Sequence, residues 1–283
     1  MNFLRDKRIK SDIKNFIKSD LNSNGIYCHF DEGDMRLVKA LIIGPKDTPY
    51  QNGFYFFSLQ FPDNYPYAPP SVKFLTQSDN IRFNPNLYVD GKVCLSILGT
   101  WAGPGWSSCL TLNSVLLSIQ SLLNEYPLQN EPGFENETGT RAHNYNSVIE
   151  YYNIKGATLK MLSNPPYKYH IFTPIMEKYF VENIDYYRSY ITKHINNNNR
   201  ALHSSVYSLN AIMDITNLKT KIELLLKKYN SGDISGATSG ATSGYISGAT
   251  SGATSGATSG ATSGDISGDI SGDISEATTN EKQ

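Results

Sequence analysis

Cysteine is scarce in this sequence, and the few cysteines are far apart. Among the 283 residues there are only three, Cys28, Cys94 and Cys109, with no Cys-x-x-Cys pair. A set of this kind argues against a disulfide framework and against a structural zinc site. We therefore expect free thiols in a reducing compartment and no bound metal.

The sequence also lacks a long apolar run and an excess of charge of one sign. No stretch of about 18 apolar residues occurs, and the N-terminal residues MNFLRDKRIKSDIK lack the apolar middle of a secretion signal. The 25 basic and 26 acidic residues nearly cancel, which leaves no net field to attract nucleic acid or an anionic membrane. We expect a cytoplasmic or nuclear protein, neither secreted nor membrane-spanning, that finds its partners through specific surfaces.

Core-forming residues are sparse in the last part of the chain, residues 230–283. This segment repeats a short Ser-Gly-x-x unit, as in SGATSGATSG, and ends in EATTNEKQ. Glycine and serine maximise backbone freedom, and the few isoleucines are too sparse to offset the ordering entropy. The composition predicts a disordered low-complexity tail, with a solenoid of four-residue repeats as the alternative.

The rest of the chain carries the patterns of helices and strands. An N-terminal helix is predicted from a stripe of apolar residues, with its end at Asn24 and Gly25; the stripe is Ile9, Ile13, Phe16, Ile17 and Leu21. Four strands rich in β-branched and aromatic residues follow, separated by turn-forming loops. They lie near residues 26–30, 36–43, 54–61 and 71–75.

Helices are predicted to dominate the chain after the strands. The segment TLNSVLLSIQSLL, residues 111–123, is apolar enough for a buried central helix. Further helices are expected near residues 145–162, 174–194 and 217–229, with a break at INNNN, residues 195–199. The prediction is an α+β domain over residues 1–162, a helical extension over residues 163–229, and the tail from residue 230.

Cys94 lies in the segment KVCLSIL and has two interpretations. Free cysteine is among the most buried residue types, which favours a structural thiol. The loop-forming residues on both sides, NPN before it and GTWAGPGW after it, favour a reachable thiol with nucleophilic chemistry.

A nucleophilic cysteine is commonly paired with a histidine. The sequence offers five histidines but places none in a recognisable local signature. A papain-like cysteine hydrolase is therefore the weaker enzyme hypothesis.

Several motifs in fixed order resemble the ubiquitin-conjugating enzymes. They are FPDNYPYAPPSVKFL, the turn NPN, the segment GKVCLSIL and a following tryptophan with a leucine-rich helix. In that family a Tyr-Pro-x-x-Pro-Pro loop, a His-Pro-Asn turn and a cysteine eight residues after the asparagine follow in this order. The resemblance covers residues 3–162, the UBC core. Through RFNPNLYVDGKVCLSILGTWAGPGWS and PIMEKYFVENIDYY it extends to residue 229 in the large branch with a C-terminal helical extension.

The resemblance implies an α+β UBC fold and roles for individual residues. Cys94 would carry ubiquitin or a ubiquitin-like modifier as a thioester, and Asn86 would assist its transfer to a lysine, either as an oxyanion donor or by holding the loop. Tyr88 would desolvate the incoming lysine, and Glu131 with its neighbour Asn130 would orient it.

The resemblance also implies partners. Arg5, Lys7 and Arg8 would face the activating enzyme, and Tyr67 would contact ligases. The other partners would be the modifier and substrate proteins, and the protein would be a monomer. No cofactor is implied, since ATP and magnesium are used by the activating enzyme.

The sequence departs from the family pattern at three places. Asn84 replaces the usual histidine, GTWAGPGW lengthens the loop after the cysteine, and WSSC stands where a ligase-contacting Trp-Ser-Pro-Ala is usual. A non-catalytic UBC-like adaptor that binds ubiquitin or ligases is the main alternative. Because inactive variants of the family typically lack the cysteine, Cys94 favours the enzyme.

Overall fold

The N-terminal helix positions one apolar face on the core. The computed structural model describes residues 2–231, and helix α1 spans Asn2–Lys18. Ile9 and Phe16 are buried as predicted, but Ile17 is 48% exposed because it lies about 80° around the helix from Ile9. The helix ends at Lys18, earlier than predicted, where the Ser19 hydroxyl donates to the Phe16 carbonyl.

The prediction of a tail, disordered or a solenoid, falls almost entirely on residues 232–283. These residues and Met1 lie outside the described residues. The last described helix ends at Asn230, at the predicted start of the tail.

Four strands form one antiparallel meander, as the sequence predicts. Their order in the sheet is β1-β2-β3-β4; the strands are β1 (Ile26–Phe30), β2 (Leu37–Ile43), β3 (Phe54–Gln60) and β4 (Ser71–Phe74). Phe57 of β3 pairs with Ala40 of β2 and with Phe74 of β4. All four residues from Phe54 to Phe57 are buried, so β3 has protein on both of its faces.

The predicted central helix, α2, spans Leu112–Ser121. Thr111 caps it, because its side chain accepts from the Ser114 backbone N–H while the Ser114 side chain accepts from the Thr111 N–H. Its apolar residues Leu112, Val115, Leu116 and Ile119 are buried, whereas Leu117 is 43% exposed. The helix therefore packs its apolar face on the core and keeps one side at the surface.

The chain after α2 is mostly helical. Its helices are α3 (Thr140–Tyr152), a π-helical continuation (Asn153–Lys160), α4 (Met161–Ser163), α5 (Thr173–Glu182), α6 (Ile184–His194) and α7 (Ile215–Asn230). The π-helical segment brings the Asn153 amide into the core, where its oxygen accepts from the Tyr55 hydroxyl at 2.7 Å and its nitrogen donates to the Gln51 carbonyl at 2.8 Å. Gly156 is needed there, since a Cβ would lie 2.5 Å from the Cβ of Ser78.

The helical extension also contains a short hairpin that was not predicted. Residues after the INNNN break form a hairpin of two antiparallel strands, β5 (Ala201–Ser204) and β6 (Leu209–Ile212). Each strand has only four residues, and serine, asparagine and alanine give them little strand propensity. Tertiary contact with α3 supports the hairpin, as in the hydrogen bond from the Tyr152 hydroxyl to the Asn210 carbonyl.

Residues 163–229 share the core of the sheet and do not form a core of their own. The rings of Tyr169 and Phe172 pack on Phe56, with centroids 5.4 and 6.1 Å away. The hydroxyl of Tyr187 donates to the carbonyl of Asn52 at 2.9 Å. The extension thus covers one face of β3. Within residues 2–231, no helix is both long and apolar enough to cross a membrane.

Candidate active site

The turn before the cysteine is built around the buried side chain of Asn84. Its amide nitrogen donates to the Tyr50 hydroxyl at 2.9 Å and to the Leu122 carbonyl at 2.7 Å. Its amide oxygen accepts the backbone N–H of Asn86 at 2.9 Å. Asn84 therefore ties the turn to the core, so the departure from the usual histidine leaves an ordered turn.

Replacing Asn84 with alanine is expected to lower the free energy of unfolding by about 1–3 kcal/mol, because buried hydrogen-bonding groups lose their partner. Thermal or urea unfolding of the purified protein measures the loss. Asn144→Ala, at an exposed position of α3, is the matched control and should change stability little. An equal effect of the two substitutions would show that the Asn84 bonds do not support the turn.

Asn86 and Cys94 are joined by two hydrogen bonds. The Asn86 side-chain nitrogen donates to the Cys94 carbonyl at 2.8 Å, and the Cys94 N–H donates to the Asn86 carbonyl at 2.8 Å. An amide nitrogen carries two N–H donors, and the bond to Cys94 uses one of them. The side chain can thus hold the cysteine segment and still offer a donor to a developing oxyanion. Its catalytic role stays a prediction.

The expectation that loop residues make Cys94 reachable is wrong in this structure. Cys94 is 1% exposed. The loop after it folds back, with the Thr100 hydroxyl donating to the Val93 carbonyl at 2.6 Å and accepting the Leu95 N–H at 3.0 Å. Gly103, at φ 132°, lies so close that a Cβ there would be 3.0 Å from the Ser96 Cβ. These contacts hold the glycine-rich loop against the residues on either side of Cys94, an arrangement that composition does not predict.

The three thiols are expected to differ in reactivity according to their burial. Cys109 is exposed, whereas Cys28 and Cys94 are buried, and burial raises the pKa of the Cys28 thiol well above its ordinary value. Because the thiolate is the reactive form and must be reached, iodoacetamide should alkylate Cys109 rapidly and the other two slowly. Peptide mass spectrometry of a time course measures the three rates. Rapid labelling of Cys94 in the Cys109→Ser variant would contradict this ranking.

A stack of three side chains lies beside the cysteine turn. The Arg82 guanidinium carbon is 3.8 Å from the ring centroid of Tyr88 and 4.1 Å from that of Tyr207. An Arg82 nitrogen also donates to the Pro85 carbonyl at 2.5 Å, inside the NPN turn. Cation–π contacts of this kind attract Arg82 to both rings. The stack joins the predicted lysine-desolvating tyrosine to the hairpin turn of the extension.

The predicted lysine-orienting carboxylate is bound to the same stack. The Tyr207 hydroxyl donates to a Glu131 carboxylate oxygen at 2.5 Å. Burial raises the pKa of the Tyr207 phenol, and the Glu131 carboxylate raises it further, so the phenol remains a donor at neutral pH. Asn130 points elsewhere, with its amide 3.5 Å from the Leu122 carbonyl. The structure therefore binds Cys94 directly to Asn86 and connects Tyr88 to Glu131 through Arg82 and Tyr207.

Sequence reasoning missed two members of this region, Arg82 and Tyr207. Arg82 stands four residues before Asn86, but a lone arginine in a loop has no distinctive pattern. Tyr207 is one of 19 tyrosines and lies in a hairpin that was not predicted. Only the fold brings these two residues together.

The predicted partner-binding arginines are occupied by contacts within the chain. Arg5 is 8% exposed and forms ion pairs with Asp6 and Asp63 at 2.8 and 2.5 Å. Arg8 pairs with Asp12 at 3.1 Å and donates to backbone carbonyls of residues 108 and 110 in the loop before α2. These contacts give both arginines a structural role.

The other two predicted partner-binding side chains are available at the surface. Lys7 is exposed, and Tyr67 is 75% exposed. Exposure suits both to partner contacts, which stay predictions.

The geometry does not resemble that of a cysteine hydrolase or a metal site. Among the residues that the structure describes, no histidine forms a hydrogen bond with Cys94. The side chain of His194 is hydrogen-bonded to Asn197, and that of His203 to Asn210. In the same part of the chain, no three His, Cys, Asp or Glu side chains are placed to hold a metal ion. What the region offers is a thiol, an amide donor and a carboxylate beside aromatic rings, which suits acyl transfer to an amine.

Comparison with known proteins agrees with this geometry. A family model described as "Ubiquitin-conjugating enzyme" matches residues 8–153. "Ubiquitin-conjugating enzyme E2 Z" of Xenopus tropicalis is 46% identical over 184 residues, which cover 64% of this chain and 58% of the relative. The protein of the same name from Homo sapiens is 46% identical over 182 residues, 64% of this chain and 51% of the relative.

A nematode relative shows the same level of identity. "Probable ubiquitin-conjugating enzyme protein 17" of Caenorhabditis elegans is 46% identical over 173 residues, 57% of this chain and 24% of the relative. The matched part of this chain thus spans about half the length of the E2 Z relatives and 24% of the nematode relative.

Proposed function

The chain belongs to the ubiquitin-conjugating enzyme family, and from that premise we propose that it accepts ubiquitin or a ubiquitin-like modifier on Cys94 and passes it to a lysine or a ligase. The observation that carries the proposal is the pairing of Cys94 with Asn86 by two hydrogen bonds in the matched domain. The proposed partners are the modifier, an activating enzyme, ligases and substrate proteins. The ATP and magnesium belong to the activating enzyme.

The first proposed step is a transthiolation. The Cys94 thiolate attacks the carbonyl of the thioester that joins the modifier to the activating enzyme. A new thioester forms on Cys94, and the cysteine of the activating enzyme leaves as a thiolate. The thiolate is the reactive form of cysteine and is intrinsically strongly nucleophilic. The thioester is already activated, so the step needs no dedicated histidine.

The second proposed step is aminolysis of the new thioester. A neutral lysine amine attacks the carbonyl, the amide bond forms, and the Cys94 thiolate leaves. Asn86 offers an N–H to the oxyanion. The ring of Tyr88 shields the amine from water, which disfavours its charged form, and the Glu131 carboxylate orients it and accepts its proton.

Because the Cys94 thiol is buried, charging it with the modifier requires a conformational change. With Cys94 1% exposed, its sulfur reaches an incoming thioester only after the surrounding groups move. The loop at residues 99–106 is the segment that would have to shift, because it folds back on Ser96 and contacts Val93 and Leu95. Docking of the activating enzyme or of the modifier would supply the free energy for this opening.

The same burial supports the alternative function, a non-catalytic adaptor. A thiol that never becomes accessible could not be charged, and the fold would then serve to bind ubiquitin or ligases. The two functions differ in one observable, the thioester.

A charging assay tests the proposal. The full chain is incubated with an activating enzyme, ATP, magnesium and ubiquitin, or with another modifier and its activating enzyme, and run on gels with and without reductant. An adduct that disappears with reductant is expected. Its absence with every activating enzyme tried, for protein shown to be folded, would favour the adaptor.

A further inference from the structure

The contact between the C-terminal extension and the candidate site is specific. Tyr207 connects the extension to the two residues predicted to act on the acceptor lysine, Tyr88 and Glu131. The Arg82 guanidinium lies over both the Tyr207 ring and the Tyr88 ring, and the Tyr207 hydroxyl donates to Glu131. We call these four side chains, Tyr88, Arg82, Tyr207 and Glu131, the acceptor stack. Arg82 also holds the Pro85 carbonyl, so the stack continues into the turn that carries Asn86.

The backbone at Tyr207 is held in an unfavourable conformation to make this contact. Tyr207 and Ser208 both have positive φ, 57° and 49°, a region that residues other than glycine rarely adopt. The surrounding hairpin supports it, since the Ser204 hydroxyl donates to the Val206 carbonyl at 3.2 Å and the Asn210 amide donates to the Ser208 carbonyl at 2.9 Å. The hairpin turn is thus shaped to present this side chain.

The ring of Tyr207 is fixed from a further side by α3. The ring of Tyr145 meets it edge to face, with centroids 6.2 Å apart, and the Tyr145 hydroxyl donates to the Arg82 carbonyl at 3.1 Å. Aromatic contacts of this geometry are favourable beyond the area they bury. Tyr207 therefore has one defined position relative to Arg82 and Glu131.

We propose that Tyr207 is a positioning residue for aminolysis, which sets the Glu131 carboxylate and, through Arg82, the Tyr88 ring where the acceptor amine approaches Cys94. This inference rests on the proposed function and extends it to the hairpin of the extension. The Tyr207 hydroxyl occupies one oxygen of the carboxylate and leaves the other to the amine. A carboxylate held this way needs no reordering when the amine arrives.

The acceptor stack is expected to affect the rates of thioester discharge to lysine and to hydroxylamine differently. A lysine amine is charged at neutral pH, with a reference pKa of about 10.4, and must lose a proton and its water shell to attack. Hydroxylamine is neutral at the same pH and small. The acceptor stack should therefore matter for discharge to lysine far more than for discharge to hydroxylamine.

The test is single-turnover discharge of the preformed thioester of the full chain. Tyr207→Phe keeps the ring and removes the hydroxyl, and the exposed Tyr167, replaced by Phe, is the matched control. For Tyr207→Phe we expect discharge to lysine to slow by about tenfold, the size of one hydrogen bond to a charged group, and discharge to hydroxylamine to slow much less.

A double-mutant cycle with Glu131→Gln makes the test sharper. If the hydroxyl acts through the carboxylate, Tyr207→Phe should have little further effect in the Glu131→Gln background. Equal slowing towards both nucleophiles, additive effects of the two substitutions, or an unchanged lysine rate would each overturn the positioning role. If the unaltered chain forms no thioester at all, the proposed function fails first, and that result is distinct from any of these.

Discussion

Replacing Cys94 with serine is expected to convert the reductant-sensitive adduct into a reductant-resistant one. A serine hydroxyl in the same position can take the acyl group as an oxyester, which thiols do not readily cleave, whereas Cys94→Ala should give no adduct. The physical reason is that residue 94 presents its side chain from a backbone that exchanges two hydrogen bonds with Asn86. Gels run with and without reductant, with an activating enzyme, ATP and the modifier, measure the outcome.

The other two cysteines provide the controls for this result. Cys109→Ser should retain a thioester although it removes the exposed thiol, and Cys28→Ala should retain it in protein that remains folded. An adduct that persists as a thioester in Cys94→Ala and vanishes in Cys109→Ser would show that Cys109 is the nucleophile. That result would refute the assignment of Cys94.

Replacing Asn86 with alanine is expected to slow discharge of the thioester to free lysine by about two to three orders of magnitude, the usual loss of one oxyanion donor. Charging should fall less, because the thiolate attacks a thioester that the activating enzyme already holds. The measurement is single-turnover decay of a purified thioester at saturating lysine. Comparison with the initial charging rate then separates the two steps.

The structure also supplies the control that separates catalysis from loop support. Asn86 donates to the Cys94 carbonyl, so its loss loosens the turn as well as removing a donor. Asn84→Ala loosens the same turn, since Asn84 binds the Asn86 N–H, but leaves the Asn86 amide in place. If Asn84→Ala slowed lysine discharge as much as Asn86→Ala, the role of Asn86 would be structural and not catalytic.

The buried cysteine and the acceptor stack make two steps of the proposed reaction depend on different segments of the chain. The loop at residues 99–106 is held against Val93 by Thr100 and against Ser96 by Gly103, and under the proposed function charging should depend on its movement. The stack, by contrast, is held by the hairpin and α3, and discharge to lysine should depend on its staying in place. The proposal thus assigns the lengthened loop and the extension to different steps of one reaction.

Much of the fold could be predicted because its signals are local. Runs rich in aromatic and β-branched residues indicate four strands, and the structure has them within one residue of the predicted bounds. The apolar spacing of α2 likewise depends on neighbours three and four residues apart. The motif order around Asn86 and Cys94 indicated the family, which the match over residues 8–153 confirms.

Contacts between distant segments could not be predicted in this way. Cys94 is buried, whereas the composition of the glycine-rich loop that follows it indicates an accessible thiol. The β5-β6 hairpin has too few residues for a periodic signal, and Ile17 was assigned to a buried stripe from which it lies about 80° away on the helix. Residues 163–229 share one core with β3 because the rings of Tyr169 and Phe172 pack on Phe56.

By itself the sequence determined the fold class through residue types at short, regular spacing, and it indicated the family and the candidate nucleophile through motifs that resemble a known family. The tertiary structure alone decided that Cys94 is enclosed, that Arg5 and Arg8 form contacts within the chain, and that Tyr207 reaches Arg82 and Glu131. The physical reason is that burial and side-chain contact are properties of packing. Packing joins residues whose separation along the chain carries no information about their separation in space.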